Sequence, residues 1–560
     1  MEKVWLKHYP PGVPALVRTD LYPSLLALID QALHTHAALP AYRFMGRAWR
    51  FADIDAQSRA LAAYLQGLGL QHGERVAIML PNVPQYPVAV AAVLRAGCVV
   101  VNVNPLYTPR ELAYQLKDSG ARAIVVLEQL AATLQQVPDA LPTRHVILAT
   151  LGDMLGTVQR TFVNHVVRNA HRRVPPYQLP GAVRYNDALA MGRSRTWAEP
   201  AVGPDDIAVL QYTGGTTGVS KGAVLLHRNL VANVLQSVAW NLPALNRVAQ
   251  GEQHTCVCAL PLHHIFGFTT NMMLALHQGG CNVLIPDPLD IGAMLKELSR
   301  HRFHSLLAVD TMFNAIAQHP AFHSVDWSHL VLAVGGGMAV QQGTARLWLE
   351  KTGCPIVEGY GLSETSPAAA CNPVDGSGRA GHIGLPLPNT ELMLLDDAGQ
   401  QAGPGLAGEI AIRGPQVMAG YWQRPDETAK VMTRDGFLRT GDIGLVDERG
   451  SFRIVDRKKD MILVSGFNVY PNEIEDLVST LPGVLECAAF GVPDDKTGEA
   501  VRLVVVKKDS GLSEADVRSF CEAHLTGYKR PKSIEFRSGL PKSTVGKILR
   551  RELREVKAAA

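Results

Sequence analysis

Apolar and polar positions follow two rhythms along most of the chain. Arg59 to Leu68 repeats its apolar residues at the spacing of one helical face, and Arg75-Val76-Ala77-Ile78-Met79-Leu80 is a short, nearly unbroken apolar run typical of a buried strand. Pro84 to Leu94 returns to the helical period. Val99-Val100-Val101 and Ala123-Ile124-Val125-Val126-Leu127 are two more buried strands. The same alternation resumes with Val257 to Leu260, Met272 to His277 and Val283-Leu284-Ile285. Strands alternating with helices predict an α/β layered domain, placed over residues 1–457.

After residue 445 the pattern changes. Short strands (Ser451 to Val455, Cys487 to Gly491, Val501 to Lys507) mix with helices (Pro471 to Ser479, Ser513 to His524), and lysine and arginine become frequent. Residues 458–560 are therefore expected to form a small, mobile α+β domain. The run Asp456-Arg457-Lys458-Lys459-Asp460 joins the two. Such a run is usually solvated surface, but between two domains it is also a candidate hinge.

Residues 150–178 stand apart. Leu155, Val158, Phe162, Val163, Val166, Val167 and Ala170 share one face of a predicted helix, Arg160, Arg168, Arg172 and Arg173 add positive charge, and Pro175-Pro176 ends it. A basic amphipathic helix can lie on an anionic membrane; the plainer reading is a helix packed on its own domain.

Bulk properties narrow the classes. The chain has 560 residues, more than one compact core holds, and 47% of them are hydrophobic. A net charge of +3 gives no electrostatic case for nucleic acid. Eight scattered cysteines suit reduced thiols better than a disulfide frame. The first residues, Met1-Glu2-Lys3-Val4-Trp5, lack a signal peptide's apolar core, and no run reaches the roughly twenty apolar residues of a membrane span. A cytoplasmic protein is expected, with any membrane contact peripheral.

The densest chemistry is in Tyr212-Thr213-Gly214-Gly215-Thr216-Thr217-Gly218-Val219-Ser220-Lys221-Gly222, flanked by the apolar runs Ile207 to Leu210 and Ala223 to Leu226. Strand, tight loop, strand is the reading. Glycines let backbone N–H groups converge on an anion, the hydroxyls add donors, and Lys221 adds a compact charge, a set suited to nucleotide phosphates. No register fits a Walker A loop. Gly218-Val219-Ser220-Lys221-Gly222 does match a nucleophile elbow, which would make Ser220 a serine-hydrolase nucleophile, but an elbow leads into a helix. Gly403 to Gly408 matches Gly-x-Gly-x-x-Gly yet precedes a strand, so a turn is expected there. His254, Cys256, Cys258, His263 and His264 invite a metal reading, but the Cys-x-Cys spacing is not the usual zinc pair.

The glycine-rich stretch resembles the phosphate-binding signature of the adenylate-forming acyl-CoA synthetases, relatives of luciferase and the nonribosomal adenylation domains. Four more stretches in the family's order support the resemblance: Glu358 to Thr365, Tyr421-Trp422 through Arg439-Thr440-Gly441-Asp442, Asp456 to Asp460, and Pro541 to Lys547. Within the superfamily, Val4-Trp5-Leu6 and Asn102 to Glu111 are similar to the bacterial long-chain acyl-CoA synthetases. The resemblance implies ATP-dependent activation of long-chain fatty acids to acyl-CoA through an acyl-adenylate, with ATP and coenzyme A as co-substrates and Mg²⁺ as cofactor. It implies Lys547 as the catalytic lysine, Glu364 as Mg²⁺ ligand and Ser363 as a phosphate contact, at a position where most relatives carry threonine. Thr213, Gly214, Gly215, Thr216, Thr217, Gly218, Lys221 and Gly222 would hold phosphates. Gly335, Gly336, Gly359 and Tyr360 would face the nucleotide, and Asp442 and Arg457 its ribose. His264 and Phe268 would lie at the acyl site and Lys459 at the hinge. Contact with anionic membrane and a homodimer stay open, and a non-catalytic fatty-acid carrier is the remaining alternative class.

Overall fold

The computed structural model describes residues 3–138, 143–171, 173–213, 220–403, 405–465, 467–494, 496–543, 546 and 548–555. Five layers, helix–sheet–helix–sheet–helix, make up most of the molecule. In an eight-stranded sheet, Ile207–Thr213, Val99–Asn102, Arg75–Met79, Ala123–Leu127 and His145–Ala149 run parallel in that order. In a nine-stranded sheet, the parallel centre is Ile356–Gly361, Leu332–Gly335, Ser305–Ala308, Thr255–Cys258, Cys281–Leu284 and Pro40–Phe44.

Alternation along the strands decides which layer each side chain joins. Val76 and Ile78 face the core between the sheets, with Tyr42, Phe44 and Leu284 from the other side, while Ala77 and Met79 face the outer helix Pro109–Ser119. The helices Gln85–Arg95 and His227–Leu245 fill the central layer and are buried over most of their length. A helix that is apolar nearly all round is stable only when so enclosed. Helices Ile291–Leu298, Asp310–Gln318 and Gln342–Thr352 cover the far side of the nine-stranded sheet.

An antiparallel sheet of Glu391–Leu395, Gly408–Arg413, Leu438–Val446 and Phe452–Arg457 follows. The last part of the chain has its own sheet, beginning at Ile462–Val464 and built around the long pair Val484–Asp494 and Gly498–Lys507. Helices Pro471–Ser479 and Glu514–His524 pack against it, the second capped by the Ser513 side chain. This is the expected pairing of a large α/β part with a small α+β part.

The segment 150–178 departs from a single amphipathic helix. Thr157–His165 is α-helical, but Val166–Ala170 is a π-turn, which shifts the register of everything after it. Leu155 is buried ahead of the helix and Val163 packs on the central core, whereas Val158 and Phe162 are 86% and 67% exposed. Arg168 forks onto the buried Glu128 at 2.8 and 2.5 Å, and Arg184 and Tyr177 reach the same carboxylate at 2.6 Å each. Glu128 thus fastens the segment to the eight-stranded sheet. Arg172 lies outside the described residues. No helix among the described residues is long and apolar enough to cross a membrane.

Candidate active site

Strands Ile207–Thr213 and Lys221–Leu226 pair antiparallel, with Thr213 opposite Lys221. Gly214, Gly215, Thr216, Thr217 and Gly218 lie between them, outside the described residues. Ser220 Oγ donates to the Thr213 carbonyl at 2.8 Å, and the chain continues as a strand. A hydroxyl spent on backbone, ahead of a strand, is not a nucleophile elbow. Gly222 packs tightly: a Cβ there would stand 3.1 Å from the Tyr212 ring and 3.5 Å from Trp422.

The residues expected to bind nucleotide gather at the carboxyl ends of the parallel strands, where α/β sheets place their ligands. Leu332–Gly335 ends in Gly335-Gly336, and the neighbouring strand Ile356–Gly361 carries Gly359 and Tyr360. A Cβ on Gly336 would meet the Phe266 ring at 2.9 Å, so only glycine lets this turn lie against Phe266 and the Gly359 carbonyl. Tyr360 is buried and donates to Asp442 Oδ2 at 2.7 Å. Asp442 stands opposite Arg457 on adjacent antiparallel strands, and Arg457 Nε lies 3.2 Å from Asp442 Oδ1. Burial first, then the Asp442 charge, pushes the Tyr360 phenol well above its ordinary pKa, so it stays a donor.

Ser363 and Glu364 form a short 3₁₀ turn after that strand. Glu364 Oε1 accepts from the Tyr421 hydroxyl at 2.8 Å. Tyr421 sits on a two-residue edge strand paired with Ala223 and Val224, which brings it beside the phosphate stretch. Its ring lies 4.9 Å from Lys221 Nζ, and Lys221 pairs with Glu427. A cleft of about 430 Å³ opens here between Glu364, Tyr421, Lys430, Arg439 and Lys458. One carboxylate facing a cleft that would be shared with phosphate oxygens fits Mg²⁺, a hard cation that keeps several non-protein ligands.

At the residues expected to face the acyl group, Phe266 N donates to His264 Nδ1 at 3.2 Å. Phe268 is wholly buried in the core between the sheets, within the π-helical turn Gly267–Met273. The aromatic that touches the glycine turn is Phe266 instead. Phe266 packs with the apolar cluster that includes Leu307, Leu332 and Val334, and those residues line an enclosed cavity of about 20 Å³ with Thr270 and Leu274.

Lys547 lies outside the described residues. Gly546, just before it, accepts from Thr311 Oγ1 at 3.3 Å, and a Cβ on it would stand 2.7 Å from that oxygen. Gly546 is therefore laid against the start of helix Asp310–Gln318, which follows strand Ser305–Ala308. Lys459 sits in a turn in which the Asp460 and Met461 amides both donate to the Arg457 carbonyl, at 2.9 and 3.1 Å. Burial first, then Arg457, lowers its pKa.

Tyr421 was legible only as part of a motif, without a role, and nothing singled out Glu427. Both act through pairings with residues far away in sequence, which no local pattern marks.

A glycine turn at the strand ends, a buried carboxylate held by a tyrosine and an arginine, and Lys221 beside Tyr421 together suit an adenylate-type nucleotide site. The chain belongs to the AMP-binding enzyme family, whose model matches residues 29–422, with the AMP-binding enzyme C-terminal domain matching residues 473–547. It is 52% identical to the long-chain-fatty-acid–CoA ligase of Escherichia coli O157:H7, over 99% of this chain and 98% of that protein. It is 49% identical to the ligase of the same name from Haemophilus influenzae, over 100% and 99%. Among solved structures it resembles ATP-bound MatB from Rhodopseudomonas palustris (29% identity, TM-score 0.78, 95% and 99% covered) and the anthranilate–CoA ligase AuaEII with anthranoyl-AMP (25%, TM-score 0.84, 97% and 100% covered).

Proposed function

We propose that the protein is an AMP-forming long-chain-fatty-acid–CoA ligase. A fatty carboxylate attacks the α-phosphate of ATP and releases pyrophosphate; the thiol of coenzyme A then attacks the acyl-adenylate and releases AMP. The observation that carries the reading is Asp442 held between Tyr360 and Arg457, beside the glycine turn and Glu364. A carboxylate so fixed is preorganised to accept both ribose hydroxyls, and preorganised groups need no rearrangement as charge develops.

Glu364 and Ser363 would serve the phosphates, with Mg²⁺ supplying positive charge to them when bound. Lys221 would face the β- and γ-phosphates. Lys547 would bridge the carboxylate and the α-phosphate, which the position of Gly546 against Thr311 supports. The acyl chain would run past His264 and Phe266 toward the cavity beside Thr270. That cavity is far too small for a long chain, so the π-helical wall must yield; π-turns mark such functional segments. The large unit is taken as residues 1–457 and the small one as 458–560, rotating about Lys459 between the two half-reactions. The enzyme would work in the cytoplasm, with the exposed Val158 and Phe162 touching anionic membrane, where fatty acid partitions.

The test is product formation with ATP, Mg²⁺, coenzyme A and palmitate, then with each omitted in turn. Acyl-CoA, AMP and pyrophosphate should require all four. Palmitate binding without pyrophosphate release would leave a carrier.

A further inference from the structure

The ammonium group of Lys221 is held in place by the chain itself. Lys221 Nζ donates to Glu427 Oε2, while Lys430 Nζ, one turn further along helix Pro425–Val431, donates to Oε1 of the same carboxylate. Both partners of the first pair are largely covered, with side-chain exposures of 29% and 26%. The backbone sets this meeting. Tyr421 pairs with Ala223 on the strand that begins at Lys221, and Tyr421 N donates to Thr428 Oγ1 at 2.9 Å. Thr428 Oγ1 donates in turn to the Arg424 carbonyl at 2.9 Å, and the Thr428 side chain fills the space a Cβ on Gly420 would need. The first turn of the helix is thus fastened to the strand edge, and Glu427 cannot drift from Lys221.

We propose that Glu427 is a positioning residue for Lys221: it holds the ammonium in the nucleotide-free enzyme, yields it to the β- and γ-phosphates, and takes it back as pyrophosphate leaves. This rests on the reading of Lys221 as a phosphate ligand. Lys430 keeps hold of the second oxygen throughout, so the carboxylate stays in place while Lys221 is away. The ring of Tyr421 lies 4.9 Å from Lys221 Nζ and gives it an apolar wall to slide along. A condensed phosphate must therefore compete with a built-in carboxylate for one cation, which weakens product binding and speeds release.

The test is a double-mutant cycle on Mg·pyrophosphate binding to the full-length, nucleotide-free enzyme by calorimetry. Glu427→Gln should tighten pyrophosphate about two- to five-fold, the range of one partly exposed ion pair, and Glu427→Asp should fall between it and the parent. Pyrophosphate should inhibit turnover of Glu427→Gln at correspondingly lower concentration. In a Lys221→Met background, Glu427→Gln should change nothing. Equal tightening in that background would mean loss of bulk negative charge and would overturn the proposal, as would unchanged or weaker binding in the single variant. If Lys221→Met did not weaken pyrophosphate, the phosphate-ligand reading would itself fall, and the latch with it.

Discussion

Tyr360 donates its phenolic proton to Asp442 Oδ2 across 2.7 Å, from the carboxyl end of an inner strand of one sheet to an inner strand of another. The proposed nucleotide site rests on that seam, because the ring that would stack on adenine also aims the carboxylate that would hold ribose. Tyr360→Phe keeps the ring and removes the donor. A hydrogen bond to a charged acceptor is worth about 1.5–3 kcal/mol, so KM for ATP should rise roughly ten-fold or more while kcat changes little. Steady-state kinetics with ATP varied would show it; an unchanged KM would mean that Arg457 alone positions Asp442.

Glu364 is linked to Tyr421 in the same way, at 2.8 Å. Glu364→Gln should lower kcat/KM for Mg·ATP by about 100-fold, in line with losing an electrostatic group from a phosphoryl-transfer site, with thermal stability nearly unchanged. Tyr421→Phe should raise the Mg²⁺ concentration needed for half-maximal activity several-fold. Full activity of Glu364→Gln at high Mg²⁺ would remove the residue from the metal site.

Much of this was legible in the chain, for a physical reason. Strands such as Arg75–Met79 and Ala123–Leu127 are buried on both faces, so they read as unbroken apolar runs. Helix Pro471–Ser479 announces itself by proline at its start and apolar residues at helical spacing. The segment 150–178 misled because a π-turn breaks the 3.6-residue period midway. Tyr421 with Glu364 and Glu427 with Lys221 are 57 and 206 residues apart. Nothing nearby in sequence records such a meeting; the edge strand at Gly420–Tyr421 creates it.

Carboxylates crowd the seam between the large and small units, which gives a pH dependence. Asp310 and Asp456 are pushed up to about 6, and Glu358 and Asp476 to about 7, in each case by burial first. Asp310 accepts from Gln341 N at 2.9 Å, Glu358 from Gly381 N at 2.8 Å, and Asp456 from Asn472 N at 2.9 Å. The facing cations are largely engaged already: Arg550 with Glu475 at 2.6 Å and with Asp460, Lys542 with Glu486, and Arg554 with Asp460. An acid whose folded pKa is raised binds its proton more tightly when folded. Its stabilisation is therefore full below the unfolded value near 4 and is lost as pH rises through about 6–7. Trypsin cleavage at Arg457 to Lys459, normalised to a reference peptide, should accelerate between about pH 5.5 and 8, and Asp476→Asn should flatten the rise. A flat profile for the parent would show that the cluster does not govern docking.

The exposed pair Val158 and Phe162 gives a test of membrane contact that spares the fold. Arg168 is a poor probe, because it is spent on Glu128. Val158→Asp with Phe162→Asp should lower the partition coefficient onto vesicles of anionic phospholipid by about 100-fold or more, through lost apolar burial of about 1.5–3 kcal/mol per side chain. Activity on soluble short-chain acids should persist. Equal pelleting of variant and parent would leave that helix with no role beyond its own packing.

The last prediction concerns the turn between the two units. One site must perform two unlike reactions. In the proposed mechanism, adenylation needs Lys547 near the α-phosphate, while thioester formation needs the same space vacated for a thiol. The structure has Gly546 against Thr311, the arrangement that the proposed role of Lys547 assigns to adenylation. Around Lys459, the Lys458 amide donates to the Gly441 carbonyl at 2.9 Å, and the Asp460 and Met461 amides close on Arg457. Rotation about this turn would carry Lys547 away while leaving both folds intact, since hinges concentrate large φ/ψ changes in a few residues. Proline fixes φ near −65°, so Lys459→Pro should hold one arrangement. Fatty-acid-dependent ATP–pyrophosphate exchange should largely persist. Thioester formation from pre-formed acyl-adenylate and coenzyme A should fall by about 100-fold or more, the scale of a misplaced reacting group. Lys459→Gly, which leaves the turn free, should retain both half-reactions. A melting temperature within a few degrees of the parent confirms that the turn survives. If both half-reactions fell together in the proline variant while it stayed folded, Lys459 would be a structural residue and the pivot would lie elsewhere between Arg457 and Met461.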